Sequence, residues 1–241
     1  MGSVKERSGI EQLRTALRRA AFEALYGPFA WAYDWVSSTF FLGQWRVWQR
    51  ASLRFLAGTK ILEVGMGTGN LQLDLSRAGY QAWGVDLSPR MLSQAARKAR
   101  RLRVPPFRAC RACAQALPFP DKAFDSVVST FPSDYIAQPE TLREIKRVLR
   151  PGGRLVVVPA GWLNPRRTGG RMLGQIAKLV YGKQAAPTAS TESIPRRIQE
   201  AGWVGTLQER MTEANFDASV QLVSNKSGAA LVLIGQLANS G

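Results

Sequence analysis

An α/β architecture built on a mostly parallel sheet is expected for this 241-residue chain, and three features point to it. Short apolar runs at 60–64, 82–85, 124–129 and 154–158 have the length and bulk of buried strands. Amphipathic helical segments separate those runs, and alternation of strand and helix is the pattern that yields a parallel sheet covered on both faces. The first run passes through Gly65, Gly67 and Gly69 into a helix, an arrangement that turns backbone N–H groups toward a ligand.

The length favours one large domain with a real core. With 45% hydrophobic and 21% charged residues the composition is that of a globular protein, which excludes fibrous repeats and disordered tails. No run reaches the 18 or so apolar residues that span a bilayer, since the nearest, 20–43, holds Glu23, Gly27, Pro28 and Asp34. Lys5, Glu6, Arg7 and Glu11 break up any apolar leader, so a cytoplasmic location is expected.

Taken in order, 4–26 reads as an amphipathic helix, with Ile10, Leu13, Leu17, Ala20, Ala21 and Ala24 on one side and Arg7, Arg14 and Arg18 on another. Gly27 and Pro28 end it. Ten aromatic residues lie between Phe22 and Trp48, a density that suits a helical lid on the core, a cover over an apolar substrate, or an interfacial anchor. Ser88 as N-cap and Pro89 at the first position start the helix after the second strand. Another helix begins at Pro139 and Glu140 and carries Arg143, Lys146, Arg147 and Arg150 toward its end, where they complement the dipole. Residues 161–190 read as an insertion over the carboxyl edge of the sheet, with one helical stretch at 172–181, and strands are expected at 203–211 and 229–237. The parse is a helical cap at 1–57 and a main domain at 58–241 that carries the lid insertion.

Two composition facts constrain the chemistry. The chain has no histidine, so Ser-His-Asp and Cys-His mechanisms and any histidine base are excluded. Its two cysteines, Cys110 and Cys113, make neither a disulfide framework nor a four-ligand zinc site; they read as small core residues beside a strand, and no metal is expected. Lys and Arg number 33 against 17 acids, a net charge of +16, which attracts RNA, DNA or an anionic lipid surface. Eight basic residues and no acid fall within 90–111, either a solvated helix face or a track for such a partner.

The glycine loop is the centre of the site. Its third glycine comes one place early for the dinucleotide fingerprint, and the phosphate-clamping lysine of a P-loop is missing. Glu63 sets a carboxylate beside the loop, which repels a pyrophosphate and attracts a cation. Asp86 ends the second strand 23 residues later, placed to accept bonds from ribose hydroxyls. The ligand these residues suit is a nucleoside with a cationic group.

On these motifs the chain resembles the class I S-adenosylmethionine-dependent methyltransferases, in the broad family that includes ubiquinone and menaquinone biosynthesis enzymes. Glu63, Gly65, Gly67 and Gly69 are similar to the family's first motif, and Asp86 with Leu87 to its acidic second strand end. The stretch 114–120 followed by Phe124 and Asp125 resembles the segment that edges the adenine, and 142–153 the approach to the fifth strand. The resemblance implies a Rossmann-like seven-stranded sheet with helices on both faces and the last strand antiparallel. It also implies S-adenosylmethionine held by Tyr33, Glu63, Gly65, Gly67, Gly69, Asp86, Leu87, Met91, Ala114, Gln115 and Thr130. Cys113 stands where many relatives place an aspartate toward adenine, so Ala114 and Gln115 are expected to hold that ring.

Methyl transfer from a sulfonium needs alignment and a dry pocket more than acid or base chemistry. Where the acceptor is a hydroxyl or ring carbon, Asp134 and Tyr135, directly after the fourth strand, are the candidate bases. Three functions stay open at this point. They are methylation of a hydrophobic or lipid-like small molecule, with peripheral contact to an anionic membrane; methylation of RNA or DNA along the basic run; and a non-catalytic nucleoside-binding subunit. The aromatic segment favours the first. Thr130, Phe131, Pro132 and Ser133 do not give the Asn/Asp-Pro-Pro-aromatic pattern of nucleic-acid amino-methylating enzymes.

Overall fold

The computed structural model describes residues 44–163, 202–225 and 228–238. The chain forms α1 (Gln44–Ala51), a 3-10 helix (Ser52–Phe55), β1 (Lys60–Val64), α2 (Asn70–Arg77), β2 (Gln81–Asp86), α3 (Pro89–Leu102) and β3 (Arg108–Arg111). There follow β4 (Phe124–Thr130), a second 3-10 helix (Asp134–Ala137), α4 (Pro139–Val148), β5 (Leu149–Leu163), α5 (Gly202–Glu213), β6 (Phe216–Asn225) and β7 (Gly228–Leu237). The expected helices at 4–26 and 172–181, the first part of the aromatic segment, and Tyr33 lie outside the described residues.

Seven strands make one sheet in the order β3-β2-β1-β4-β5-β7-β6. The first five are parallel, and β7 runs antiparallel to both β5 and β6. The antiparallel last strand and the mostly parallel sheet are as the resemblance implied. The chain moves outward from β1 to β3, then crosses back to place β4 on the other side of β1. The carboxyl ends of β1 and β4 therefore flank a topological switch point, where open α/β sheets hold their ligands.

Successive residues of a strand face opposite sides, so each central strand feeds two cores. Leu62, Val64, Val127, Leu155 and Val157 pack with Leu142 and Ile145 of α4 and Leu207 and Met211 of α5. On the other face Ile61, Val128, Val156 and Val158 pack with Trp48 of α1 and Leu71 and Leu75 of α2. Glu63 shares the parity of Ile61 and so lies on the α1/α2 side. Gly161 makes this second packing close, because a Cβ there would sit 2.3 Å from the Trp48 ring.

Three expectations change. Residues 203–211 form the middle of helix α5 instead of a strand, because their buried side chains, Val204, Leu207 and Met211, recur at helical spacing while Trp203 stays exposed. Residues 161–163 continue β5, paired with β7, so an insertion can begin only after them. Cys113 is exposed in a tight turn bridging Cys113 and Ala116, while Cys110 lies half-buried in β3, so only one of the pair approaches the core. The N-cap of α3 is as expected: Ser88 Oγ accepts from the Met91 N–H at 3.4 Å.

Charged residues tie the elements at both ends of the sheet. Asp125 at the start of β4 accepts from the Thr59 and Lys60 N–H groups at 2.8 and 2.9 Å and from Arg150 at 2.7 Å. Arg150 thus begins β5 with a carboxylate partner rather than serving a helix dipole. Arg147 does more than complement α4 as well: it pairs with Glu144 and Asp121 and donates to the carbonyls of Leu117 and Phe119. The Leu117 N–H donates to Glu144 Oε2 at 2.9 Å, so α4 clamps the 114–121 segment from both sides.

Asp74 of α2 does the same for α1. Its buried carboxylate accepts from Arg46 at 3.0 and 2.7 Å and from Arg50 at 2.7 Å. Burial pushes its pKa up, but the bonds and charges of Arg46 and Arg50 outweigh that and hold it below the ordinary carboxylate range. Asp74→Ala is expected to lower stability by about 2 kcal/mol in urea unfolding, the scale of charge-assisted bonds whose cationic ends reach water. A depressed carboxyl pKa adds stability above its unfolded value, near 3.9, that is lost as pH falls through the folded value. The difference between wild type and variant should therefore shrink below about pH 4; a gap unchanged there would contradict the ion-pair account.

Candidate functional site

The loop between β1 and α2 carries left-handed backbone at Gly65, Gly67 and Gly69, with φ of 74°, 54° and 77°. The outer two are also closed sterically: a Cβ on Gly65 would lie 2.5 Å from Tyr135 Oη, and one on Gly69 would lie 2.8 Å from the Phe107 ring. Gly67 has nothing within 4 Å on that side, so the loop is packed at its ends and open at its middle. The Val85 carbonyl accepts both the Gly65 and Met66 N–H groups, at 2.9 and 3.0 Å.

Asp86, at the end of β2, completes the clamp. Its Oδ2 accepts from the Gly67 N–H and its Oδ1 from the Ser88 N–H, each at 2.8 Å. Burial raises its pKa above the ordinary range while those two backbone bonds pull it back. Each carboxylate oxygen keeps a second acceptor site for a hydroxyl donor.

Glu63 is 1% exposed. Oε2 accepts from Gln72 Nε2 at 2.8 Å, and the same amide nitrogen donates to the Trp83 carbonyl at 3.1 Å. Gly84 leaves the room, since a Cβ there would meet Met66 Sδ at 2.4 Å and Gln72 Nε2 at 3.2 Å. Glu63 Oε1 has no hydrogen-bond partner among the described residues. Burial pushes the Glu63 pKa up to about 8; the Gln72 bond works against this, and the charges of Asp86 and Asp74 add to it. A buried acid with an orphaned oxygen beside a glycine loop suits a cationic donor.

The remaining expected residues sort by position. Met91 is buried in the first turn of α3, and Leu87 is exposed between Asp86 and the helix. Ala114 is buried, whereas Gln115 is half-buried with its amide engaged by Gln138 at 2.6 Å and by the Cys113 thiol. Thr130 is buried at the end of β4 and its Oγ1 accepts from Gln49 Nε2 at 3.0 Å. Tyr135 lies across the start of the loop, with its hydroxyl 3.1 Å from Ser129 Oγ and 3.3 Å from the Val64 carbonyl. Asp134 begins the adjoining 3-10 helix and is exposed.

Several contributors carried no readable signal. Gln72, Ser129 and Gln49 are ordinary polar residues in sequence, and they matter because the fold sets them against Glu63, Val64 and Thr130. In sequence Lys98 is one member of the basic run at 90–111. Its ammonium instead donates to Thr68 Oγ1 at 3.0 Å and Asn70 Oδ1 at 2.8 Å, bracing the glycine loop from α3.

Residues 62–157 match a family model described as a methyltransferase domain. The demethylmenaquinone methyltransferase of Tropheryma whipplei is 34% identical over 187 residues, covering 73% of this chain and 76% of that protein. That of Mycobacterium tuberculosis is 31% identical over 210 residues, covering 78% and 86%. The chain belongs to the class I S-adenosylmethionine-dependent methyltransferases. It is related to the quinone-biosynthesis members, and S-adenosylmethionine is its cofactor. The fold is shared with an S-adenosylmethionine-dependent methyltransferase from Thermotoga maritima, at TM-score 0.53 and 21% identity over 86% of this chain and 97% of that one. It is shared as well with geranyl diphosphate C-methyltransferase from Streptomyces coelicolor, at TM-score 0.52 and 16% identity over 78% and 77%.

The donor set fits that cofactor: an orphaned carboxyl oxygen for its cationic end, an open glycine for its backbone, and a carboxylate with spare acceptor sites for its ribose. Asp86→Ala is expected to weaken S-adenosylmethionine binding about tenfold or more, as loss of paired bonds to a charged acceptor should. Calorimetric titration measures it, with an unchanged far-UV spectrum showing that the sheet persists. Undiminished affinity would remove Asp86 from the ribose site.

Proposed function

We propose that this methyltransferase acts on a hydrophobic, quinone-like small molecule. The observation that carries the reading is an aromatic wall at the carboxyl edge of the sheet. Trp45 stacks on Phe131 with ring centroids 3.9 Å apart, and Trp48 lies 6.2 Å from Phe131. Phe131 follows Thr130 directly, at the switch point beside the glycine loop, where an apolar acceptor would meet the cofactor. The names of the demethylmenaquinone relatives support the same acceptor class.

Glu63, Gly65, Gly67, Gly69, Asp86, Leu87, Met91, Ala114, Gln115 and Thr130 would hold the cofactor in this reading, with Tyr33 added from the cap. When bound, S-adenosylmethionine would supply a methyl group on a positively charged sulfur, which the acceptor's electron pair would take as the C–S pair returned to sulfur and the acceptor gave up a proton. Exposed Asp134 would take that proton, which suits a hydroxyl or an acidic ring carbon. Tyr135, with its hydroxyl held between Ser129 and Val64, would fix the loop and close the site to water.

The basic run supports contact with an anionic membrane, where such an acceptor would reside. Arginines 90, 97, 100 and 101 on α3, Arg103 capping its end, and Arg108 and Arg111 on the edge strand β3 are all exposed, and none has an ion-pair partner among the described residues. Exposed Leu87 and Leu102 lie in the same stretch. Each basic residue near an anionic surface contributes roughly 1 kcal/mol. No helix among the described residues is long and apolar enough to cross a membrane, so this contact would be peripheral.

Incubation with methyl-labelled S-adenosylmethionine and, separately, a lipid extract and total RNA tests the proposal. Label is expected in the quinone fraction of the lipid, with the protein sedimenting with anionic vesicles at low salt. Label in RNA, together with steeply salt-dependent RNA binding, would overturn it.

A further inference from the structure

The two edges of the sheet are built differently. β3, at one edge, is four residues long, follows Pro105 and Pro106, and carries the exposed side chains of Arg108 and Arg111. Short strands, prolines and charges are the devices that keep an edge from pairing with another chain. β6, at the other edge, runs ten residues, Phe216–Asn225, and holds an unbroken register with β7 from end to end. It contains no proline, lysine or arginine, and Asp217 is its one charged residue. The Ala218 carbonyl accepts from Gln208 Nε2 of α5 at 3.2 Å. Beyond that point, among the described residues, the backbone of 219–224 pairs with β7 alone. An antiparallel strand turns the N–H and C=O groups of alternate residues away from its neighbour, so this edge offers a row of donors and acceptors.

The side chains around the edge fit a second copy of the same chain. Ala218, Val220 and Leu222 share one face of β6 and lie half-buried against the core that α4 and α5 cover. On α5, Gly205 and Thr212 stand three and four residues from Gln208 and continue its flank without a charge. A Cβ on Gly205 would meet nothing within 4 Å, which leaves room for close approach. The chain carries a net charge of +16, and its densest basic run lies on α3 and β3 at the opposite edge. Two copies can therefore meet at β6 without opposing those cations. Residues 164–190 read in sequence as turns and one helical stretch, with no run of strand character to lie along β6.

We propose that β6 is a dimerisation strand: two copies pair β6 with β6, antiparallel about a two-fold axis at Val220, and join their seven-stranded sheets into one. This is the register in which the apolar row pairs only with itself, Val220 opposite Val220 and Ala218 opposite Leu222. Asp217 then stands opposite Val223, so no like charges meet. The axis is normal to the sheet, which keeps both apolar rows on one face and lets the two cores run together. The carboxyl edges of the two sheets point in opposite directions, so each copy keeps its own cofactor crevice open.

Sedimentation of the full chain in the ultracentrifuge, at physiological salt and over a range of concentrations, tests this. Wild type should reach twice the chain mass. Val220→Lys and Val220→Glu each set like charges face to face across the axis, and each alone should weaken the dimer by about a hundredfold or more. An equal mixture of the two variants should recover it, because opposite charges then meet. Amide exchange at 219–224 should be slow in the wild-type dimer and fast in either variant alone. Affinity for S-adenosylmethionine, unchanged in both, shows that each is folded. A wild type that stays monomeric at every concentration would overturn the proposal, and slow exchange at 219–224 in such a monomer would give the edge to another segment of the same chain. A dimer that neither substitution weakens would overturn it too, by placing the interface elsewhere.

Discussion

The glycine loop after β1 can hold its shape only because the end of β2 supplies acceptors for it. Three left-handed residues in a row of five would otherwise be an open turn. The Val85 carbonyl takes two of its N–H groups and Asp86 a third, so the loop is fixed against a neighbouring strand. Lys98 braces it from α3 and Tyr135 from the segment after β4. Once that loop is rigid, the ends of β1, β2 and β4 converge on one crevice. The elements beyond them, the 114–121 segment clamped by α4 and the helix α1 pinned to α2, have a fixed floor to close upon.

Charge is handled differently at the two buried acids on the α1/α2 side. Asp74 is matched by two arginines and stays ionised, which makes it a structural anchor. Glu63 is given one amide bond and no cation, so burial leaves it a neutral acid at ordinary pH. A protein with a net charge of +16 could have placed a basic residue there, and the described residues place none. Among the described residues its second oxygen has no partner, an arrangement that suits a cationic ligand.

The central half of the fold was legible in the sequence because its constraints are local. A buried strand followed by closely spaced glycines can do few things, and Asp86 at the end of the next strand narrows them further. Ser88 with Pro89 announced α3 for the same reason. Where the determinants are non-local, the sequence was silent. Strand β3, Arg-Ala-Cys-Arg, has no apolar pattern and exists because β2 offers an edge to pair with. Helix α5 stands where a strand is expected because Trp203 and Val204 suggest β structure, whereas Leu207 and Met211 share the buried face with Val204 only at helical spacing. Gln49 and Thr130 are 81 residues apart, and nothing in either predicts their meeting. Lys98 was concealed in a run of arginines, from which only its contacts separate it.

Glu63 suits a cationic ligand whose binding takes the place of its proton. Its raised pKa means that the free protein holds this proton until about pH 8, and a cation bound beside it favours the ionised form. Binding must then expel the proton, so affinity should rise with pH and level off above about 8. Calorimetric titration with S-adenosylmethionine near pH 7, in two buffers of different ionisation enthalpy, counts the protons released. Release of roughly one proton per molecule bound, abolished in Glu63→Gln, is the predicted result. Binding with no proton exchange and a flat pH dependence would contradict the account.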